Sequence, residues 1–163
     1  MARITYFFAV LTVLSSCQLR VRQPTPEERV QIESEIMALT NEVLASAERA
    51  DALGLFKYHS NDTEFVHIHN GARFTRGELV TNYQGVYSGV EKQEIDIGQP
   101  VINVLSKDVV LVASQGTFKT YLKSGGTLSG DIAWTYVWER ERTSDAWRLL
   151  HAHQSFPGPI GSN

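Results

Sequence analysis

The segment FKYHSNDTEFVHIHNGARFTRGELV, residues 56–80, decides the fold because it contains a helix end, a hairpin and a helix start in succession. Its first residues end a short helix predicted from Asp51 to about Tyr58, and SNDT breaks that helix. EFVHIH alternates apolar and polar residues as a strand does, and Asn70-Gly71 is typical of a type I′ turn. The sequence therefore predicts a hairpin in which ARFT returns beside EFVHIH, followed by a third helix over GELVTNYQGVY.

The segment before it predicts a long amphipathic helix. Thr25 can cap this helix, Pro26 suits the first helical position, and Glu28 completes a capping box. The apolar residues that follow recur at steps of three and four and form one stripe: Ile32, Ile36, Leu39, Val43, Ala47 and Ala50. We therefore expect this helix to pack on a sheet through one face.

The segment after residue 90 is rich in β-forming residues. Four such runs cover about residues 92–105, 109–123, 127–141 and 147–156, and SKD, SGG and RTSD separate them with turn-forming residues. Helices followed by a long antiparallel meander predict an α+β domain with helices on one face of a curved sheet.

Length and composition fit one globular domain. The chain has 163 residues, enough for one core, and its formal net charge is −3. We place the domain at residues 26–157, between a polar tether at 18–25 and a C-terminal tail at 158–163. No clustered basic face is evident, so the sequence predicts no nucleic-acid partner.

The first seventeen residues resemble a bacterial lipoprotein signal peptide. Arg3 precedes an apolar run too short to span a bilayer, and the run ends in Leu14-Ser15-Ser16-Cys17, with the chain's single cysteine. This predicts export and a lipid on Cys17 as the only membrane contact. Gln18 rather than aspartate after the cysteine favours the outer membrane if the source is Gram-negative. A plain secretory signal that happens to contain a cysteine is the alternative.

Four of the five histidines form two His-x-His pairs, at residues 67 and 69 and at residues 151 and 153. On a strand, residues two apart share a face. If the loop at 142–145 closes the last hairpin in even register, Tyr136 opposes His151 and Trp134 opposes His153. One sheet face then gathers aromatic and histidine side chains: Trp134, Tyr136, Trp138, Trp147, His151 and His153. Such a face suits a ligand cavity or a dimer interface, and an odd loop would undo the grouping.

Two segments carry a resemblance to a known family: residues 56–80 and TYVWERERTSDAWRLLHAHQSFP at 135–157. Their order of helix, hairpin, helix and closing hairpin resembles the SnoaL-like branch of the nuclear transport factor 2-like superfamily. The closing strand is also similar to that of the calcium/calmodulin-dependent kinase association domain. The resemblance implies a cone-shaped α+β fold. It leaves function open, since the superfamily includes isomerases, dehydratases and non-enzymatic association domains.

The resemblance also implies a candidate base. Steroid isomerases of this superfamily place a carboxylate on the first strand, and that position falls at or beside His67. Histidine can accept a proton near neutral pH, although the family's aspartate is missing here. Tyr58 or Tyr83 could then donate a hydrogen bond to an enolate oxygen.

Three interpretations of the histidines stay open: a metal site, proton transfer, and structural residues lining a pocket or interface. A metal needs three or four ligands, and in the fold that the resemblance implies the first and last strands need not touch, so we predict no metal and no cofactor. We expect Tyr83, Trp134, His151 and His153 to line a cavity for a small apolar or aromatic molecule, in a domain that forms a homodimer through its sheet. The alternative function is a non-catalytic association module.

Overall fold

The computed structural model describes residues 23–61, 65–158 and 160–162. Cys17, the signal peptide and most of the tether lie outside these residues. The helices are α1 (Pro26–Glu48), α2 (Ala52–Leu55) and α3 (Arg76–Ser88). The strands are β1 (Val66–His69), β2 (Ala72–Phe74), β3 (Val90–Ile97), β4 (Val101–Ser106), β5 (Val109–Leu122), β6 (Thr127–Arg140), β7 (Trp147–Ser155) and β8 (Gly161–Ser162).

Both long helices begin with a capping box. Thr25 Oγ1 accepts from the Glu28 backbone N–H at 3.2 Å, and the Glu28 carboxylate accepts from the Thr25 N–H at 2.8 Å. Thr75 and Glu78 repeat the arrangement at α3. These bonds satisfy backbone donors that a helix start leaves without intrahelical partners. The predicted start of α1 is therefore confirmed. A separate finding is that none of the described helices is long and apolar enough to cross a membrane.

The predicted hairpin is also confirmed. His67 pairs with Phe74, and His69 with Ala72, in antiparallel register. Asn70 and Gly71 both have positive φ, 47° and 83°, as a type I′ turn requires. The hairpin therefore fixes which face of β1 each of its histidines occupies.

The strands form one curved sheet in the order β2-β1-β7-β6-β5-β3, and β4 and β8 pair with β5 and β6. The sheet is mixed, because β1 runs parallel to β7 while the other pairs of described strands are antiparallel. The helices cover one face, which we call the inner face. The two strands that carry the His-x-His pairs, β1 and β7, are neighbours in this sheet.

One predicted strand is two. The run at 92–105 divides at the Gly-Gln-Pro segment, residues 98–100, into β3 and β4. Both pair with β5 in succession: β3 along its C-terminal part, through Ile95↔Phe118, and β4 along its N-terminal part, through Ile102↔Val112. Proline cannot donate to a ladder, so the chain breaks there and changes direction.

A β-bulge in β7 rearranges the last hairpin. Arg140 pairs with Trp147 as predicted, and Trp138 pairs with Leu149. Val137 then pairs with His151, which leaves Leu150 as an extra residue. Because side chains alternate along a strand, one extra residue moves every later side chain to the opposite face.

The bulge coincides with a change of neighbour. Leu149 exchanges backbone hydrogen bonds with the 58–60 segment, donating to the Tyr58 carbonyl at 2.8 Å and accepting from the Ser60 N–H at 3.0 Å. From His151 onward, β7 pairs instead with β1. The extra residue lets one strand satisfy both partners.

The core lies between α1 and the inner face of the sheet. Its fully buried side chains include Ile36, Val43, Val110, Val112, Trp138 and Leu149. At the edge of this core, the Glu35 carboxylate accepts from Trp147 Nε1 and Arg140 Nη2, each at 3.0 Å. The hydrogen bond from Trp147 is the main reason why the pKa of Glu35 lies below its usual value. Glu35 thereby ties α1 to the last hairpin.

Candidate functional site

A cavity of about 440 Å³ lies between α1, α2, α3 and the inner face of the sheet. Its walls are mostly aliphatic and aromatic, with Trp134 and Tyr136 stacked at a centroid distance of 4.4 Å. The polar side chains on the lining are His59, His67, His69, Asn82, Tyr83, Tyr87, Gln93, Thr120, Tyr136 and Gln154. An apolar cavity of this size with a few polar groups is typical of a small-molecule site.

Two histidines are buried in the wall without hydrogen bonds. His59 and His67 are 5% and 3% exposed, and none of their ring nitrogens has a partner among the described residues. Their rings lie nearly parallel with centroids 6.1 Å apart, between the edges of Phe56 and Phe65. Buried polar groups are normally hydrogen-bonded, so two such imidazoles side by side are unusual.

Burial keeps these imidazoles neutral. The pKa of His59 is lowered to about 3 and that of His67 to about 4, mainly by loss of hydration and to a smaller extent by nearby histidines. Both rings are therefore uncharged at neutral pH, and each has one nitrogen that can accept a proton.

A hydrogen-bonded group stands beside them. The Tyr83 hydroxyl donates to Gln154 Oε1 at 3.1 Å and lies 3.4 Å from His69 Nδ1. Burial lowers the pKa of His69 and raises that of Tyr83 above its usual range. His69 and Gln154 are register partners on β1 and β7, and Trp134 is the partner of Gln154 on β6. Three adjacent strands thus present their inner-facing side chains to the same part of the cavity.

The structure places three of the predicted site residues on the cavity wall: His67, Tyr83 and Trp134. Tyr58 lies elsewhere. Its hydroxyl donates to the Glu42 carboxylate and accepts from Lys57 Nζ at 3.1 Å, on the exposed side of α1. The Tyr58 hydroxyl is thus directed away from the ligand space that was expected for it.

His151 and His153 are a second correction. The predicted pairs with Tyr136 and Trp134 are wrong, because the bulge pairs His151 with Val137 and His153 with Thr135. The two histidines consequently lie on the face opposite the helices, which we call the outer face. The aromatic residues of β6 stay on the inner face, and Ala152 and Gln154 take the places beside them.

The sequence reasoning missed His59 and Gln154. His59 is the one histidine outside the two pairs, and it precedes the SNDT helix break, a position that carries no periodic signal. The position of Gln154 on the inner face can be predicted from strand alternation only once the bulge is known. The pairing of β1 with β7 does not create a metal site, since His67 and His151 face opposite sides. Among the described residues, no three His, Cys, Asp or Glu side chains are grouped so that they could hold a metal.

Comparison with known proteins agrees with this architecture. The model of the SnoaL-like domain family matches residues 36–159. No curated protein matches the sequence. A nuclear transport factor 2-like superfamily protein from Salmonella enterica is 20% identical with a TM-score of 0.69, and the alignment covers 82% of this chain and 96% of that one.

Two further structures have the same fold. Hexachlorocyclohexane dehydrochlorinase LinA-type3 from Novosphingobium barchaimii is 11% identical with a TM-score of 0.69, covering 85% of this chain and 94% of its own. A Xanthomonas campestris structure assigned to the calcium/calmodulin dependent protein kinase II association domains is 17% identical with a TM-score of 0.64, covering 77% and 88%. The fold is shared with the nuclear transport factor 2-like structures, and the family match shows that this chain belongs to the SnoaL-like domain family.

Proposed function

We propose that the cavity binds a small, mostly apolar or aromatic molecule and that His67 removes a proton from it. The observation that carries this proposal is the buried His67 imidazole, which lines the cavity with both nitrogens unpartnered among the described residues. A structural histidine would gain stability from a hydrogen bond that this one does not make. A ligand with an acidic C–H group would supply that partner.

The proposed chemistry is an isomerisation or an elimination. His67 takes a proton from carbon, and the electron pair moves toward an adjacent electron-withdrawing group. The proton then returns to a second carbon, or a leaving group departs and the proton passes to water. The rings of Tyr83 and His67 both contact Phe56, with centroids at 5.1 and 6.4 Å. The Tyr83 hydroxyl is the candidate donor to a developing oxyanion, and to donate there it would turn away from Gln154 Oε1, its acceptor in this structure.

A general-base probe tests this chemistry. In 5-nitrobenzisoxazole, a base removes the proton on C3, the nitrogen–oxygen bond breaks, and coloured 2-cyano-4-nitrophenolate forms. We expect the protein to accelerate this reaction and His67→Gln to slow it about a hundredfold, because a positioned base contributes at least that factor. Absorbance at pH 7 measures the rate.

The matched control is His153→Gln, which removes an imidazole from the exposed outer face and should leave the rate unchanged. Circular dichroism confirms that both variants are folded. Equal rates for wild type and His67→Gln would exclude His67 as the base.

The second candidate function is a homodimeric association module. The outer face presents half-buried apolar side chains, Val66, Ile68 and Val137, around His151, and Val101 at the sheet edge is 58% exposed. The association-domain structure with the same fold makes this function a direct competitor.

We further propose that a lipid on Cys17 holds the domain at the cell envelope. The intact mass of the protein extracted from membranes tests this proposal.

We expect the domain to be a dimer whose two outer faces meet. Val137→Lys should then give a monomer, because it places an ammonium group in the apolar centre of the interface. The control is Val86→Lys, the same change at a 63% exposed position on α3. Sedimentation velocity at micromolar concentration measures the mass. A monomeric wild type, or dimers of all three proteins, would contradict the outer-face interface.

A further inference from the structure

The lining of the cavity contains no ion partner among the residues that the structure describes. None of these lining residues is Asp, Glu, Lys or Arg. The polar groups that are present consist of imidazoles, hydroxyls and amides. A ligand charge that entered would lose its hydration and meet no opposite charge.

Two of the three lining amides, Gln93 and Gln154, are already committed to internal hydrogen bonds, and the third, Asn82, lies at an exposed position of α3. Thr120 Oγ1 donates to Gln93 Oε1 at 3.1 Å, and Gln93 Nε2 donates to the Ala47 carbonyl at 2.8 Å. Gln154 Oε1 is taken by Tyr83. Gln93 is therefore held through both its nitrogen and its oxygen, and Gln154 through its oxygen. Neither amide is free to turn and solvate an ion without breaking a buried bond.

From this lining we infer that the cavity selects against charge: it admits uncharged molecules and rejects analogues of the same shape that carry an ionised group. The inference rests on the proposed ligand site and names the class of ligand that the site takes. Removing an ion from water without a partner is costly, whereas the apolar part of the same molecule gains by burial.

The histidines do not provide a hidden cation for an anionic ligand, because burial lowers the pKa of all three that line the cavity: His59, His67 and His69. The pKa of His67 lies at about 4. At pH 7 about one molecule in a thousand would therefore carry the proton. His59 is no better a cation, because its pKa lies at about 3 and a charge on it would be only 6.1 Å, between ring centroids, from one on His67. An anion that needed a protonated His67 for binding would therefore bind about a thousandfold more weakly than it would to a permanently charged His67.

Two fluorescent probes that differ by one sulfonate test the inference. N-phenyl-1-naphthylamine is uncharged, and 1-anilinonaphthalene-8-sulfonate has the same rings with one negative charge. We expect the neutral probe to bind at least a hundredfold more tightly in fluorescence titrations at pH 7. Leu128→Trp and Ile132→Trp, which fill the cavity from two positions on β6, should abolish binding of the neutral probe. His153→Gln on the outer face should not change it.

The outcomes separate this inference from the proposed function. If the two probes bound with equal affinity and the filled variants bound neither, charge selection would be wrong, whereas the proposed ligand site would be supported. Binding of neither probe would overturn both. A gain-of-function arm uses Gln154→Lys, which places an ammonium group beside Tyr83 and should raise the affinity for the sulfonate at least tenfold. Unchanged sulfonate binding by folded Gln154→Lys would mean that charge is not what excludes it.

Discussion

The free energy of unfolding should fall by about 5 kcal/mol between pH 7 and pH 4.5 through two histidines alone. The folded state holds the pKa of His59 at about 3 and that of His67 at about 4, below the usual value of 6.5. Over most of this interval the unfolded chain binds a proton at each histidine and the folded protein does not. Each histidine then lowers the free energy of unfolding by about 1.4 kcal/mol for each unit by which the pH falls.

The direction of this pH dependence, and the pH range in which it acts, follow from the lowered pKa values. Well above pH 6.5 both states are neutral at these sites, and the contribution does not change with pH. As the pH falls, the unfolded state gains protons first and stability declines until the folded pKa values are reached. Urea denaturation at half-unit steps from pH 7.5 to pH 4.5 measures the slope.

A double variant isolates the two histidines from the carboxylates. His59→Phe with His67→Phe should remove most of the slope and should raise stability at pH 7, since buried groups without partners are replaced by apolar rings. His151→Gln with His153→Gln, on the outer face, should keep the wild-type slope. If the double phenylalanine variant kept that slope, the conclusion that His59 and His67 are buried and neutral would be wrong.

Trp138→Ala should cost about 3 to 5 kcal/mol of unfolding free energy, the range for removal of a buried aromatic side chain. Trp138 is 0% exposed and is among the largest fully buried side chains. Its ring meets Tyr58 edge-on at 5.8 Å and Tyr136 at 6.5 Å. The alanine would leave a cavity beside α1 that the rigid sheet cannot close.

Urea denaturation at pH 7.5 measures this loss, and the matched controls set its scale. Trp138→Phe keeps an aromatic ring and should lose less than the alanine variant. Leu53→Ala, at a 62% exposed position on α2, should be nearly neutral. A loss below about 1 kcal/mol for Trp138→Ala would show that the core relaxes around the change.

The paired histidines change the meaning of a sequence pattern. The two His-x-His pairs look equivalent along the chain, yet one pair lies against the cavity and the other lies on the outer face. The functional candidates on the inner face are His67, His69 and the unpaired His59. Their burial among aromatic rings destabilises the fold below pH 6.5, and we interpret that cost as a consequence of keeping neutral imidazoles at the proposed ligand site.

The sequence by itself determined the features that depend on near neighbours in the chain. The capping box of Thr25 and Glu28, the Asn70-Gly71 turn and the alternation of β1 each involve residues within a few positions of one another. Because the physical cause is local, the pattern alone predicts helix starts, the hairpin and the α+β class. Trp134 was predicted from residue type and strand face, whereas His67 was proposed from the family resemblance and Tyr83 from its hydroxyl group.

Only the tertiary structure decided which side chains share the cavity. The extra residue at Leu150 is required where β7 changes its neighbour from the 58–60 segment to β1, and that change is invisible to any local pattern. One bulged residue moved His151 and His153 to the outer face and brought Gln154 beside Tyr83. A strand's side-chain period is two residues, so a single insertion inverts every later assignment, and only contacts distant in sequence fix where it occurs.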